Sequence, residues 1–410
     1  MPHLVIVGNG SAGRSAAEAI REIDQGCEVT ILTEEPVGHY YRPDLDEYVI
    51  TEQPETLWTG KDSFYEANDV DLRLDCVVGA LDTQAQQVTL AGGGTVAYDQ
   101  LLIATGGKPI MVPWPGHDLA GIHTLRSFAD AEAIVQSARE AEQAAIVGGG
   151  LLGMDFARVL RKKDRSVVHL VREPALGGPA LDEKAGAIIE KRLLAEGVEL
   201  CLEEEVVEWE GSDGRVAAVR TSKDRRFECQ VAAVAVGVRA ATAFLEGSGI
   251  ETDQGILVDT HQRTSVPCVY AAGDVAQVHD FVYDQPRVHT SWRNADEQGG
   301  IAGRNMAGEE AVADNLIAWN YQEVFDLPYV SMGAALETDA PFQVLANYDP
   351  EGDLYHKLVL RDDKVVGAVL LGKTEQSFGV EQAIRLEVDI SEVKDELLNE
   401  DFDWIALTMG

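Results

Sequence analysis

Leu4-Val5-Ile6-Val7-Gly8-Asn9-Gly10-Ser11-Ala12-Gly13 decides how this 410-residue chain is built. Four apolar residues without alternation read as a strand buried on both faces. Gly8 permits a tight turn, Gly10 lets the backbone approach a pyrophosphate, and Gly13 lets a helix pack closely on the strand. Ser11 and Ala12 open that helix and Ser15-Ala16-Ala17-Glu18-Ala19-Ile20 continues it. Its first amides and its dipole then face the phosphate. A second strand, Glu28-Val29-Thr30-Ile31-Leu32, follows. Glu34 and Glu35 come next, near the offset of about 20 residues at which a carboxylate meets a ribose hydroxyl.

The pattern occurs twice. Ala144-Ala145-Ile146-Val147 leads into Gly148-Gly149-Gly150-Leu151-Leu152-Gly153. Met154 to Leu160 continue the helix, and Ser166-Val167-Val168-His169-Leu170 reads as the next strand. Two such turns, each between strand and helix, imply two dinucleotides on one polypeptide, the arrangement needed to pass electrons from one to the other. Where an acid would favour NADH, the second unit has Val171 and then Arg172. An arginine can accommodate the 2′-phosphate of NADPH, which tilts the reading toward NADPH or dual use. Arg161, Lys162 and Lys163 lie nearby in sequence. The other reading of Arg172 is a solvated surface charge.

Further segments carry a family likeness. Tyr41-Arg42-Pro43-Asp44-Leu45 resembles a Tyr-x-Arg-Pro-x-Leu region, and Leu101-Leu102-Ile103-Ala104-Thr105-Gly106-Gly107 an Ala-Thr-Gly segment. Val236-Gly237-Val238-Arg239 resembles a Gly-Val-Arg segment. Arg263-Thr264-Ser265-Val266-Pro267, followed by Tyr270-Ala271-Ala272-Gly273-Asp274, is the most specific match. Trp292-Arg293-Asn294-Ala295-Asp296-Glu297-Gln298-Gly299 matches a helix start. With these segments the chain resembles, nearly from end to end, the FAD-dependent pyridine nucleotide-disulfide oxidoreductase superfamily. It is most similar to the branch without a redox disulfide, that of the NAD(P)H:rubredoxin reductases.

The resemblance implies an α/β architecture. Two Rossmann-like dinucleotide-binding domains are expected, a discontinuous FAD domain (1–112 and 244–315) and an inserted NAD(P) domain (113–243), with a small C-terminal α+β domain (316–410). It implies that Gly8, Gly10, Ser11, Ala12, Gly13, Glu34, Glu35, Arg42, Ala104, Thr105, Gly106, Gly273, Asp274 and Trp292 hold FAD, with Asp274 on the ribitol. The helix opened by Trp292 would direct its N-terminal dipole at the flavin pyrimidine edge. Gly148, Gly150, Leu151, Leu152, Gly153, Arg172 and Gly237 would line the site for NADH or NADPH. The implied activity is hydride transfer from nicotinamide to flavin, followed by electron transfer to rubredoxin, another iron–sulfur carrier, or a partner redox subunit. Relatives include monomers and homodimers, so either state is compatible. A rival reading is a flavoprotein of low turnover, an electron-transfer subunit or a redox-gated binding protein.

The chain also departs from the family pattern. Asp155 stands where the family has Glu, one methylene shorter; Asp155 and Arg42 are the candidate catalytic residues. Glu47 stands where ferredoxin reductases of this fold carry Lys. An inward Glu47 would disfavour reduced, anionic flavin, and a solvent-facing one would not. His289 could supply a proton near the flavin-edge helix or simply pack. The five cysteines, Cys27, Cys76, Cys201, Cys229 and Cys268, show no Cys-x-x-Cys spacing, and His39, Tyr40 and Tyr41 stand where a redox thiol would lie. Thiol–disulfide exchange at the flavin is therefore not expected, and no metal site is implied. Cys27 and Cys268 are read as inert strand residues.

The formal net charge of −37 argues against nucleic acid and anionic membranes as partners. It also opposes long-range attraction to an acidic electron carrier, and it is compatible with a high-salt cytoplasm. The first strand begins almost at Met1, leaving no room for a signal peptide, and no apolar run reaches the ~18 residues of a membrane span. A cytoplasmic location is expected. Lys108-Pro109-Ile110-Met111-Val112-Pro113-Trp114-Pro115 reads as a connection, and Ser127 as the N-cap of a helix. Glu208 to Val216 reads as a hairpin. In the last domain, His356–Arg361 and Lys364–Leu371 read as strands joined through Asp362-Asp363, a helix covers Glu381 to Ile384, and the acidic tail with Phe402 and Trp404 is expected to pack.

Overall fold

The computed structural model describes residues 1–58, 63–178 and 180–409. They form two compact units. The first comprises Met1–Asp44, Gln53–Lys108 and Val238–Ala318; the second comprises Leu45–Glu52, Pro109–Gly237 and Trp319–Gly410.

The first unit is built on a five-stranded parallel sheet in the order Val269–Ala271, Gln100–Ile103, His3–Val7, Glu28–Leu32, Val70–Arg73. His3–Val7 lies in the middle, and Leu4 to Val7 are buried as an unalternating run requires. The helix Ser11–Ile23 makes the crossover to Glu28–Leu32. Against it lies the helix Trp292–Met306, at a separation that only glycine allows. A Cβ at Gly299 would come 2.2 Å from the Ala12 carbonyl oxygen, and one at Gly303 would come 2.3 Å from that of Ala16. A three-stranded antiparallel sheet, Val78–Asp82, Gln87–Leu90 and Thr95–Ala97, completes this unit's core with Leu81, Val88 and Val96.

The second unit repeats the plan. Its parallel sheet runs Val198–Leu202, Ser166–Val171, Gln143–Val147, Val231–Val234, Ile122–His123. Ser127 caps the helix Phe128–Glu140 in a reciprocal box with Asp130. The expected hairpin is Val206–Ser212 with Arg215–Thr221, turning at Asp213 and Gly214, both at positive φ.

The C-terminal segment forms a five-stranded antiparallel sheet in the order Trp319–Val324, Leu327–Gly333, Lys364–Leu371, Leu354–Arg361, Gln343–Asp349. Asp362 and Asp363 both take positive φ, the conformation a two-residue hairpin demands. The helix Ser377–Arg385 covers this sheet, and Leu397 and Trp404 bury the acidic tail against it. Leu45–Glu52, which follows the Arg42 turn in sequence, packs within the second unit. There Lys163 Nζ donates to Val49 O at 2.9 Å and to Glu52 at 2.7 Å.

Candidate functional site

Each unit presents a cradle at the end of the middle strand of its parallel sheet, and the two are built alike. Gly8 and Gly148 take φ of +112° and +115°. A Cβ on Gly8 would lie 2.2 Å from Ala104 O, and one on Gly148 2.2 Å from Ala235 O. A Cβ at Gly13 would lie 2.0 Å from Gly8 O, and one at Gly153 1.9 Å from Gly148 O, so helix and turn touch through backbone. At Gly10 and Gly150, by contrast, a Cβ would meet nothing within 4 Å. These two residues are the extended N-caps of the helices Ser11–Ile23 and Leu151–Lys162, and neither helix has a side-chain cap or an acid in its first turn. The free amides that begin with Ser11-Ala12 and Leu151-Leu152 therefore face open, anion-accepting space. This is the fit expected of two pyrophosphates.

Of the two acids after Glu28–Leu32 in the first unit, Glu35 is the half-buried one. Glu34 is exposed, whereas Glu35 accepts from Tyr40 Oη and from Arg42 Nη2, both at 2.7 Å. The motif tyrosine is accordingly Tyr40, two residues before Arg42, rather than Tyr41. Burial works against the charge of Arg42, but Tyr40, Glu35 and Asp274 more than offset it and hold the guanidinium protonated. Arg42 Nε is buried without a partner, as is Asn9 Nδ2 in the glycine turn itself. Two buried donors without a protein partner fit a ligand rich in acceptors.

Ala104-Thr105-Gly106 and Gly273-Asp274 follow strands parallel to His3–Val7, at the same C-terminal end of the sheet as the first glycine turn. Thr105 Oγ1 donates to Ala241 O at 3.0 Å, and Gly106 turns at φ +67° beside Ala104. Gly273 takes φ +80°, and a Cβ there would crowd Ala12 and Ala295; its amide donates to Gln298 Oε1 at 2.8 Å, which places Asp274 after it. Ser291 caps the helix Trp292–Met306, and Trp292, 41% exposed, meets Tyr41 edge-on with centroids 5.0 Å apart. His289 is buried and bonds Asp280 at 2.8 Å, so it packs as a structural pair.

In the second unit Asp155 is the unusual group. It follows the first turn of Leu151–Lys162 and is half-buried, and burial, reinforced by the nearby Asp46 carboxylate, pushes its pKa up to about 7. Gln322 and Tyr329, which sequence reasoning did not single out, complete its surroundings. Tyr329 Oη donates to Gln322 Oε1 at 2.5 Å, and Gln322 Nε2 donates to Leu151 O at 2.8 Å. Arg158 pairs with Asp46, and its Nη1 lies 3.6 Å from Glu47. Glu47 is 46% exposed at its side chain, so it is a solvent-side partner of Arg158 rather than a buried charge. Gly237, at φ +113°, is the counterpart of Gly106.

Arg172 does not sit in a basic cluster. Its Nε and Nη2 donate to Glu173 Oε1 at 3.2 and 2.9 Å. Arg161 is committed to Glu196 O and Arg165 O, and Lys163 to Glu52. Two cysteines also differ from their reading: Cys27 lies in the bend immediately before Glu28–Leu32 rather than in the strand. Cys268 is not a strand residue but a turn residue at φ +63°, immediately before Val269–Ala271. All five cysteines are unpaired.

Comparison with known proteins gives the class. The profile of the pyridine nucleotide-disulphide oxidoreductases matches residues 2–299, and that of the rubredoxin NAD+ reductase C-terminal domain matches 320–388. The chain belongs to the pyridine nucleotide-disulphide oxidoreductase family, and it is an FAD-dependent NAD(P)H oxidoreductase. It is 31% identical over 394 residues to a nitrite reductase [NAD(P)H] of Bacillus subtilis (strain 168), covering 95% of this chain and 48% of that protein. The chain thus spans about half the length of that relative. A probable ferredoxin reductase of Castellaniella defragrans is 30% identical over 366 residues, 88% of each chain. Among solved structures, the ferredoxin reductase for the CYP199A2 system of Rhodopseudomonas palustris shares the fold with TM-score 0.92 at 20% identity, covering 100% of both chains. No described helix is long and apolar enough to cross a membrane.

Proposed function

We propose that this chain oxidises NAD(P)H and delivers the electrons, through bound FAD, to a small redox protein of the rubredoxin or ferredoxin kind. The doubled cradle carries this reading: two open helix N-termini at Gly10 and Gly150, each behind a glycine whose Cβ would collide with backbone. The profile matched by 320–388 supports rubredoxin as the acceptor. FAD, when bound, supplies hydride acceptance and electron release.

The chain's own residues bind, orient and set charge. In the proposed domain plan, 1–112 and 244–315 hold FAD, 113–243 the nicotinamide dinucleotide, and 316–410 a C-terminal domain. The turns Gly8–Gly13 and Gly148–Gly153 seat the two pyrophosphates on helix amides. Glu35 orients the FAD ribose, and Arg42, held by Glu35, directs its free Nε toward the cofactor. Asp274 binds the ribitol, Ala104-Thr105-Gly106 and Trp292 border the ring system, and Gly237 borders the nicotinamide side. Asp155 holds a proton on its carboxyl oxygen near neutral pH, in the environment set by Asp46 and Gln322.

Anaerobic stopped-flow tests the reading. The purified yellow protein should lose its flavin absorbance within seconds of mixing with NADH or NADPH and regain it on adding oxidised rubredoxin or ferredoxin. Persistence of the flavin band with both donors overturns it. A second reading draws on the nitrite reductase, of which this chain spans 48%: the chain serves as the cofactor-binding portion for a separate acceptor subunit. Fast reduction by the donor, with slow reoxidation by every free carrier, favours that reading.

A further inference from the structure

The two glycine-turn units superpose bond by bond, and the repeat identifies a residue that counting along the sequence passes over. Gly8 N donates to Leu32 O at 2.8 Å, and Gly148 N to Leu170 O at 3.0 Å. One residue on, Thr33 O accepts from Cys76 N at 2.8 Å, and Val171 O from Glu204 N at 3.0 Å. Two residues further, Glu35 O accepts from Asp75 N at 3.3 Å, and Glu173 O from Glu203 N at 3.1 Å. Asp75 and Glu203 turn at φ of +53° and +52°. The carbonyl of the second turn residue is bonded in both: Asn9 O by the His39 ring at 3.1 Å, Gly149 O by Gly177 N at 2.9 Å. Thr33, Glu34 and Glu35 therefore correspond to Val171, Arg172 and Glu173.

We propose that Glu173 selects NADH over NADPH, a claim that rests on the second cradle being the nicotinamide dinucleotide site. A carboxylate at this place accepts hydrogen bonds from the adenosine ribose hydroxyls and repels a 2′-phosphate. Its side chain is 47% exposed and so within reach of a ligand. Arg172 does not reverse the choice, because its fork already serves Glu173. A 2′-phosphate would have to take the guanidinium while lying beside the carboxylate it displaced. The first unit shows the same device, Glu35 held by Arg42 Nη2. The backbone of this segment is fixed at both ends, by Glu203 N on Glu173 O and by Gly177 N on Gly149 O, so the carboxylate is presented from a defined position.

Calorimetric titration of the FAD-loaded protein with NAD+, NADP+ and adenosine 2′,5′-bisphosphate tests this without turnover. NAD+ should bind about tenfold or more tighter than NADP+, and adenosine 2′,5′-bisphosphate should bind as weakly as NADP+. Glu173→Gln should weaken NAD+ about tenfold and strengthen the bisphosphate, bringing the two dinucleotides to within about threefold. NADP+ binding as tightly as NAD+ to the wild type, or an unchanged ratio in Glu173→Gln, overturns the role of Glu173 and leaves the dinucleotide site standing. Absence of binding by both dinucleotides overturns the site itself, and the role of Glu173 with it.

Discussion

Three residues, Glu35, Asp155 and Cys268, each carry a consequence that one substitution reads out. Glu35 takes two charge-assisted or hydroxyl hydrogen bonds of 2.7 Å. Glu35→Ala should free Arg42 and weaken FAD retention about tenfold, read as apoprotein after gel filtration against limiting FAD. Asp155 binds a proton in the folded state at pH values where the unfolded chain has already lost it. An acid held high in this way stabilises the fold fully only below its unfolded value, so stability declines as pH rises from about 4 to about 7. Asp155→Asn should flatten that decline by about 2 kcal/mol, allowing for its partly open side, as measured by urea unfolding across the range. An unchanged slope would show that other groups control it. Cys268 holds a left-handed conformation that suits Asn and Asp better than a thiol side chain. Cys268→Asn should raise stability by about 0.5–1 kcal/mol and leave flavin reduction unaltered. A loss of activity would return chemistry to that thiol.

At the scale of elements, the contact between the helices Ser11–Ile23 and Trp292–Met306 is the most demanding in the first unit. Gly299 and Gly303 meet the backbone of Ala12 and Ala16 with no room for a methyl. Gly303→Val should force the helices apart, cost about 3 kcal/mol or more, and lower FAD content together with thermal stability. FAD content held at wild-type level would separate the contact from the site.

The elements that counting could find were those with local rules. Both strand–turn–helix units, the Ser127 cap, the Asp213-Gly214 hairpin and the Asp362-Asp363 turn follow from apolar runs and turn residues, and the structure has each. Three features had no local signal. Glu173 lies past the strand end, and only the hydrogen bond from Glu203 shows that it stands where Glu35 does. Gln322 and Tyr329 come to Asp155 from strands more than 160 residues away in sequence. The αL turn at Cys268 looks apolar in sequence because Val266, Val269 and Tyr270 surround it.

At the scale of the molecule, 70 acidic residues face 33 basic ones. Most of the basic side chains seen in ion pairs are half-exposed, where each pair contributes little. The remaining negative charges repel one another over a distance set by salt, about 30 Å at 0.01 M and about 3 Å at 1 M. Folding brings these charges closer together, so low salt should destabilise the folded chain more than the unfolded one. Raising KCl from 0.01 to 1 M should raise the melting temperature by about 5 °C or more, a change of about 2 kcal/mol for units of this size. Sodium sulfate stabilises by exclusion at any net charge, so the comparison uses KCl, at pH 7 and again at pH 4.5. Near pH 4.5 many carboxylates are neutral, and the salt effect should shrink to a fraction of its value at pH 7. The same repulsion should make reduction of an acidic carrier protein faster as salt rises, the reverse of a steered encounter between opposite charges. A melting temperature indifferent to KCl at pH 7, or a carrier reaction that slows with salt, would mean that the excess charge is spread too thinly to act and that a local basic patch governs docking.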